Sequence, residues 1–159
     1  GAVKCWGSNN YGQLGLEDTN KRGAEPGQMG DALPSVALGV GRHATAIAAA
    51  GGHTCALLDN GLVKCWGTNG YGELGLGTTA PRGGHVGQMG DALPALDLGK
   101  GRVVKALAAG QDHNCVLLND RGIKCWGRND DGQLGVGDNR NRGDGPDEMG
   151  DALPVVPLH

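Results

Sequence analysis

Lys4-Cys5-Trp6-Gly7 returns as Lys64-Cys65-Trp66-Gly67 and again as Lys124-Cys125-Trp126-Gly127, each time 60 residues further on. The register around this tetrapeptide holds without a gap. Asn9, Asn69 and Asn129 correspond, as do Leu14-Gly15, Leu74-Gly75 and Leu134-Gly135, and Arg22-Gly23, Arg82-Gly83 and Arg142-Gly143. A second block, Met29-Gly30-Asp31-Ala32-Leu33-Pro34, recurs letter for letter at 89–94 and 149–154. A long fixed period marks a repeat architecture, in which each supersecondary unit buries its apolar face against the next. The chain of residues 1–159 is therefore one repeat array, with units at 1–38 (partial), 39–98 and 99–158.

The segment 42–67 shows what one unit contains. Ala44 to Ala50 alternates weakly, Gly51-Gly52 turns the chain, and His53-Thr54-Cys55-Ala56-Leu57-Leu58 reads as a second strand. Asp59-Asn60-Gly61 is a tight turn, because Asn and Gly take positive φ at little cost. Leu62 to Trp66 returns as a third strand, and residues 103–127 repeat the plan. Three short antiparallel strands, plus a connection of about thirty residues with room for a fourth, describe a propeller blade. The expected fold is all-β: a β-propeller repeat protein of three blade-like 60-residue repeats, incomplete or part of a larger propeller.

Folding the first hairpin about Asn60 pairs positions whose numbers add to 120, which sets Cys55 opposite Cys65; the second hairpin sets Cys115 opposite Cys125. Directly opposed cysteines on antiparallel strands lie close enough for a disulfide where the pair is of the non-hydrogen-bonded kind. Four small buried thiols are the alternative. Disulfides would imply an oxidising compartment. Cys5 has no counterpart ten residues upstream and is expected to be unpaired. Gly1-Ala2-Val3 aligns with Gly61-Leu62-Val63, and three full periods need 180 residues where the chain has 159. The chain thus reads as a piece cut from a longer array, with an open edge at residues 2–6 that invites self-association.

Composition narrows the function classes. Lys and Arg number 14 against 17 Asp and Glu, with no basic run to neutralise a row of phosphates, which weighs against nucleic acid. No apolar stretch is long enough to span a bilayer. His53 and His113 each precede a cysteine by two positions, but no fourth zinc ligand stands at a recognisable spacing. A ring bonded to neighbouring backbone is the expected role. The run from Asp138 to Asp144 has the acidity of a calcium loop, yet Arg140 and Arg142 occupy ligand positions. Arg142-Gly143-Asp144 spells a cell-adhesion tripeptide that the other copies do not keep. No nucleophile stands beside a base, no phosphate-cradling loop is present, and no cofactor is implied. Arg22 with Asp31, Arg82 with Asp91, and Arg142 with Asp151 recur in every unit. They are expected either to pin the long connection to its blade or to form a repeated binding pocket.

Residues 53–77 resemble the regulator of chromosome condensation repeat family. The likeness rests on Gly51-Gly52-His53-Thr54 with Leu57-Leu58, Asp59-Asn60-Gly61, Trp66-Gly67, and Asn69-Gly70-Tyr71-Gly72-Glu73-Leu74-Gly75. Copies at 6–16 and 112–136 match comparably. The resemblance implies a propeller that commonly has seven blades, and members as different as a nuclear exchange factor, a plant photoreceptor and a secreted bacterial inhibitor. The Met-Gly-Asp-Ala-Leu-Pro block and the cysteine pairs are not part of the general family pattern, and the cysteines make the secreted bacterial kind nearest in character. Since fold does not carry function, three readings follow. The first is a non-enzymatic extracellular or cell-surface scaffold whose loops at 17–24, 77–84 and 137–144 recognise a protein or glycan. The others are a structural protein assembling into a layer or filament, and an intracellular exchange-type regulator.

Overall fold

The computed structural model describes residues 1–158, leaving the last residue of the array, His159, outside the described part. Two three-stranded antiparallel sheets are present among them. Strands β1 (Ala44–Ala49), β2 (His53–Leu58) and β3 (Val63–Gly67) pair in that order, as do β4 (Val104–Ala109), β5 (His113–Leu118) and β6 (Ile123–Gly127). The register is the one the turn residues dictate: Cys55 faces Cys65 and Cys115 faces Cys125. The Sγ atoms stand 2.06 Å and 2.10 Å apart, within bonding distance. Outside β3 and β6 the returning connection makes one ladder bond each, Leu96 N–H to the Val63 carbonyl and Val156 N–H to Ile123, both 2.8 Å. This supplies the fourth, outer edge of each blade. Val36 N–H bonds Val3 in the same way at 2.8 Å, so residues 3–7 and 34–38 form the outer half of a further blade.

The core lies between sheets. One apolar cluster joins Leu57, Val63 and Leu74 to Val104, Val116, Leu118 and Trp126. A second joins Val3, Val36 and Leu38 to Ala56, Leu58 and Trp66. The sheets approach each other at β1 and β4, where the sequence is rich in Ala and a small side chain leaves room for that approach. Covered on both faces, every residue of β2 and β3 is buried. The homologous β5 alternates, with Leu117 40% exposed where Leu57 is 7% exposed. Leu33, Leu93 and Leu153 from the repeated block are buried and anchor the long connection, whereas Met29 is exposed and Met89 buried. No helix among the described residues is long and apolar enough to cross a membrane.

Candidate functional site

Each of the three variable loops is closed back onto the segment that ends at Gly7, Gly67 or Gly127. There Gly67 and Arg82 exchange two backbone hydrogen bonds (2.8 and 3.2 Å), and Gly7 with Arg22 and Gly127 with Arg142 do the same. Beyond that bridge a buried asparagine organises each loop. Asn69 Nδ2 donates to the carbonyls of Thr78 (2.6 Å) and Ala80 (3.0 Å), and its Oδ1 accepts from Leu74 N–H (2.9 Å). Asn9 and Asn129 repeat this, donating to Asp18 and Asp138 and accepting from Leu14 and Leu134. A second polar side chain closes the far end: Gln88 Oε1 accepts the amides of Gly83, Gly84 and His85, and Glu148 Oε2 those of Gly143 and Gly145.

Loops of successive repeats interlock. Glu17 N–H bonds the Gly83 carbonyl (3.0 Å), and Gly77 N–H bonds Gly143 (3.0 Å). Glu17 Oε1 also accepts three amides, from Gly87, Gln88 and Met89, at 2.9–3.0 Å. Gly72, at φ +81°, lies against the backbone of Gly143 and Asp144 with no room for a side chain. Tyr71 carries the Arg128 guanidinium over its ring, 5.0 Å from the centroid. The outcome is one continuous face with a repeated, buried frame and differing exposed residues, among them Tyr11, Thr19, Lys21, Thr78, Pro81 and Arg140.

The arginine–aspartate pairs expected from recurrence are not made. Arg22 bonds Asp18 at 2.6 Å and Arg142 bonds Asp138 at 2.7 Å, four residues earlier in the same loop and so within easy reach. The Arg140 amide, then the Arg142 guanidinium, hold the Asp138 carboxyl below its ordinary value. Asp91 and Asp151 turn instead to the preceding linker and accept the amides of Val40 (3.1 Å) and Lys100 (3.2 Å); Asp31 is exposed. The connection is pinned by the lysines. Lys64 Nζ donates to the carbonyls of Leu38 (3.0 Å) and Gly90 (2.8 Å), and Lys124 to those of Leu98 (2.9 Å) and Gly150 (2.7 Å). Burial depresses the pKa of both ammonium groups. Strict recurrence of Asn and Lys was the available signal for these roles; their burial was not visible in the sequence.

His53 does not bond neighbouring backbone. Its Nε2 meets Asn114 Oδ1 across the blade interface at 3.0 Å. Asn114 Nδ2 donates to the Glu73 carbonyl (2.8 Å), so Oδ1 is left to accept and His53 carries its proton on Nε2. Nδ1 is buried without a partner, and burial lowers the pKa of the ring. Among the described residues no three His, Cys, Asp or Glu side chains gather closely enough to hold a metal. Cys5 is unpaired, and burial raises its thiol pKa.

Models of the Regulator of chromosome condensation (RCC1) repeat match residues 1–57, and 44–73 with 104–133. The chain belongs to the RCC1 repeat family. It is similar to the human Probable E3 ubiquitin-protein ligase HERC4, 32% identical over 133 residues, covering 84% of this chain and 11% of that protein. It is 31% identical over 138 residues to the Secretion-regulating guanine nucleotide exchange factor of Bos taurus, covering 85% of this chain and 26% of that one. Its fold is that of Prp20p from Saccharomyces cerevisiae, with a TM-score of 0.65 at 21% identity over 95% of this chain and 33% of that one. The RCC1 repeats here therefore span between a tenth and a third of these relatives, and the architecture is a partial RCC1-type propeller.

Proposed function

We propose that the chain is part of a non-enzymatic binding scaffold, secreted or held at a cell surface, that recognises a partner protein through its inter-repeat loops. The observation that carries this reading is the division of labour along the loop edge. Asn9, Asn69 and Asn129 are fully buried and identical, and they hold in place loops whose exposed residues differ from copy to copy. A rigid frame presenting variable side chains lowers the entropy lost on binding. The structure of Prp20p, which shares the fold, is described with its binding to Gsp1p and histones; that makes proteins the partner class to test first. The opposed cysteine pairs support an oxidising compartment.

An intracellular regulator is the second reading, favoured by the similarity to a guanine nucleotide exchange factor. Intact mass after alkylation without reduction separates the two. One free thiol, Cys5, is the expected result; five would overturn the extracellular assignment. Binding itself is tested by cross-linking in the native source: cross-links at 17–24, 77–84 and 137–144 support the loop face, and cross-links confined to the opposite edge overturn it.

A further inference from the structure

Arg82 is the exception among three equivalent arginines. Arg22 and Arg142 each hold an aspartate of their own loop at 2.6 and 2.7 Å. The register puts Thr78 where Asp18 and Asp138 stand. Among the described residues Arg82 therefore has no ion pair, and its Nε is buried without a hydrogen-bond partner. The side chain is not free to drift with its backbone, since the main chain at 82 is bridged to Gly67 on both sides. Beside it opens a cleft of about 470 Å³, walled by Thr78, Gly77, Pro146, Asp97 and Asp147. A desolvated guanidinium N–H that lacks an acceptor is a standing demand for one.

We propose that this cleft is a carboxylate subsite, in which an Asp or Glu side chain of a partner protein takes the place at Arg82 that Asp18 and Asp138 take in the sister loops. The proposal rests on the reading of the loop edge as a protein-binding face and names the partner's chemistry. In the sister loops the aspartate is held by Nη2, and a planar carboxylate in that place at Arg82 can span the Nε–Nη2 edge of the fork and so reach the orphaned Nε–H as well. Asp97 and Asp147 in the wall oppose any incoming anion, and a doubly charged phosphate more strongly than a single carboxylate. The open volume admits the acidic residue together with its flanking backbone.

The test follows the Arg82 side-chain Nε–Hε resonance of the full 159-residue chain by NMR, assigned by its loss in Arg82→Gln. The probes are acetyl-Gly-Asp-Gly-amide, its Asn counterpart and inorganic phosphate. A saturable shift with the Asp peptide, at least tenfold weaker with the Asn peptide and with phosphate, is expected. Thr78→Asp should abolish it by filling the site from within, while raising the melting temperature by restoring the pair of the sister loops. An unmoved resonance, an equal response to the Asn peptide, a stronger response to phosphate, or an undiminished response in Thr78→Asp each overturns the proposal. If the peptide fails while cross-links still map to residues 77–84, the subsite falls and the binding face stands. If the peptide binds while cross-links avoid the loops, the subsite stands and the broader reading falls.

Discussion

Asn69 commits a buried carboxamide to three main-chain groups of its own loop, two as donor and one as acceptor. Truncating it strands all three partners, so Asn69→Ala should cost about 2–3 kcal/mol, measured as a lower urea midpoint. The same change at Asn10, which is exposed in the corresponding loop of the first copy, should cost almost nothing. His53 adds a pH dependence. Burial, with His113 acting in the same direction, pushes the pKa of its ring below the ordinary value, against the opposing pull of Asn114, Glu73 and Asp112. A ring whose folded pKa lies below the ordinary 6.5 binds fewer protons when folded than when unfolded. Stability is then complete above pH 6.5 and lost as pH falls from there towards the folded pKa. Urea midpoints at about pH 7.5 and about pH 5.5, either side of the ordinary histidine value, should fall further for the wild-type chain than for His53→Gln; equal falls would assign the dependence to other groups.

The hairpins show how one element tolerates different turn chemistry. Both close three-residue turns, with Leu58 N–H bonding Leu62 (2.8 Å) and Leu118 N–H bonding Gly122 (2.9 Å). The last turn residue is left-handed in each, Gly61 at φ +78° and Arg121 at φ +70°. Glycine takes that conformation freely, while a side chain there carries strain of about 1 kcal/mol. Arg121→Gly should therefore stabilise the chain by about 0.5–1 kcal/mol, visible as a small rise in melting temperature. A fall would mean that the exposed Arg121 side chain makes contacts worth more than the strain. The turn sets the register that brings Cys115 opposite Cys125, so the cross-strand pair and the turn act on the same short loop.

Across the whole molecule, three identical Lys-Cys-Trp-Gly segments have different fates. Trp66 and Trp126 are fully buried, and each donates its indole N–H to a loop carbonyl of the preceding repeat, Gln13 at 3.0 Å and Glu73 at 2.9 Å. Trp6 is 62% exposed beside an open cleft lined by Cys5, Ile47 and Thr54. Trp66→Ala or Trp126→Ala should cost about 3–5 kcal/mol, and Trp6→Ala under about 1 kcal/mol, by denaturant unfolding monitored through circular dichroism. Equal costs at Trp6 and Trp66 would mean that the blades do not stack as described. The interlock also makes repeats interdependent: Thr54 and Trp66 both bond Gln13, so each blade is finished by the loop before it.

What the sequence by itself determined is the repeat, the hairpins, the cysteine register and the family. These are written in short-range patterns, namely a 60-residue period, alternation of side chains, and Asn and Gly at turns. What only the tertiary structure decided is which copy of each repeated residue is covered and what it touches. His-Thr-Cys-Ala-Leu-Leu is buried throughout while His-Asn-Cys-Val-Leu-Leu alternates. Arg22 and Arg142 find acids within their own loops, and Lys64 and Lys124 hold the connection, one of the two roles open to the Arg–Asp pairs. The reason is physical: strand pairing is settled within one unit, whereas burial and the satisfaction of a buried polar group depend on atoms supplied by the neighbouring unit, which the repeat itself does not encode.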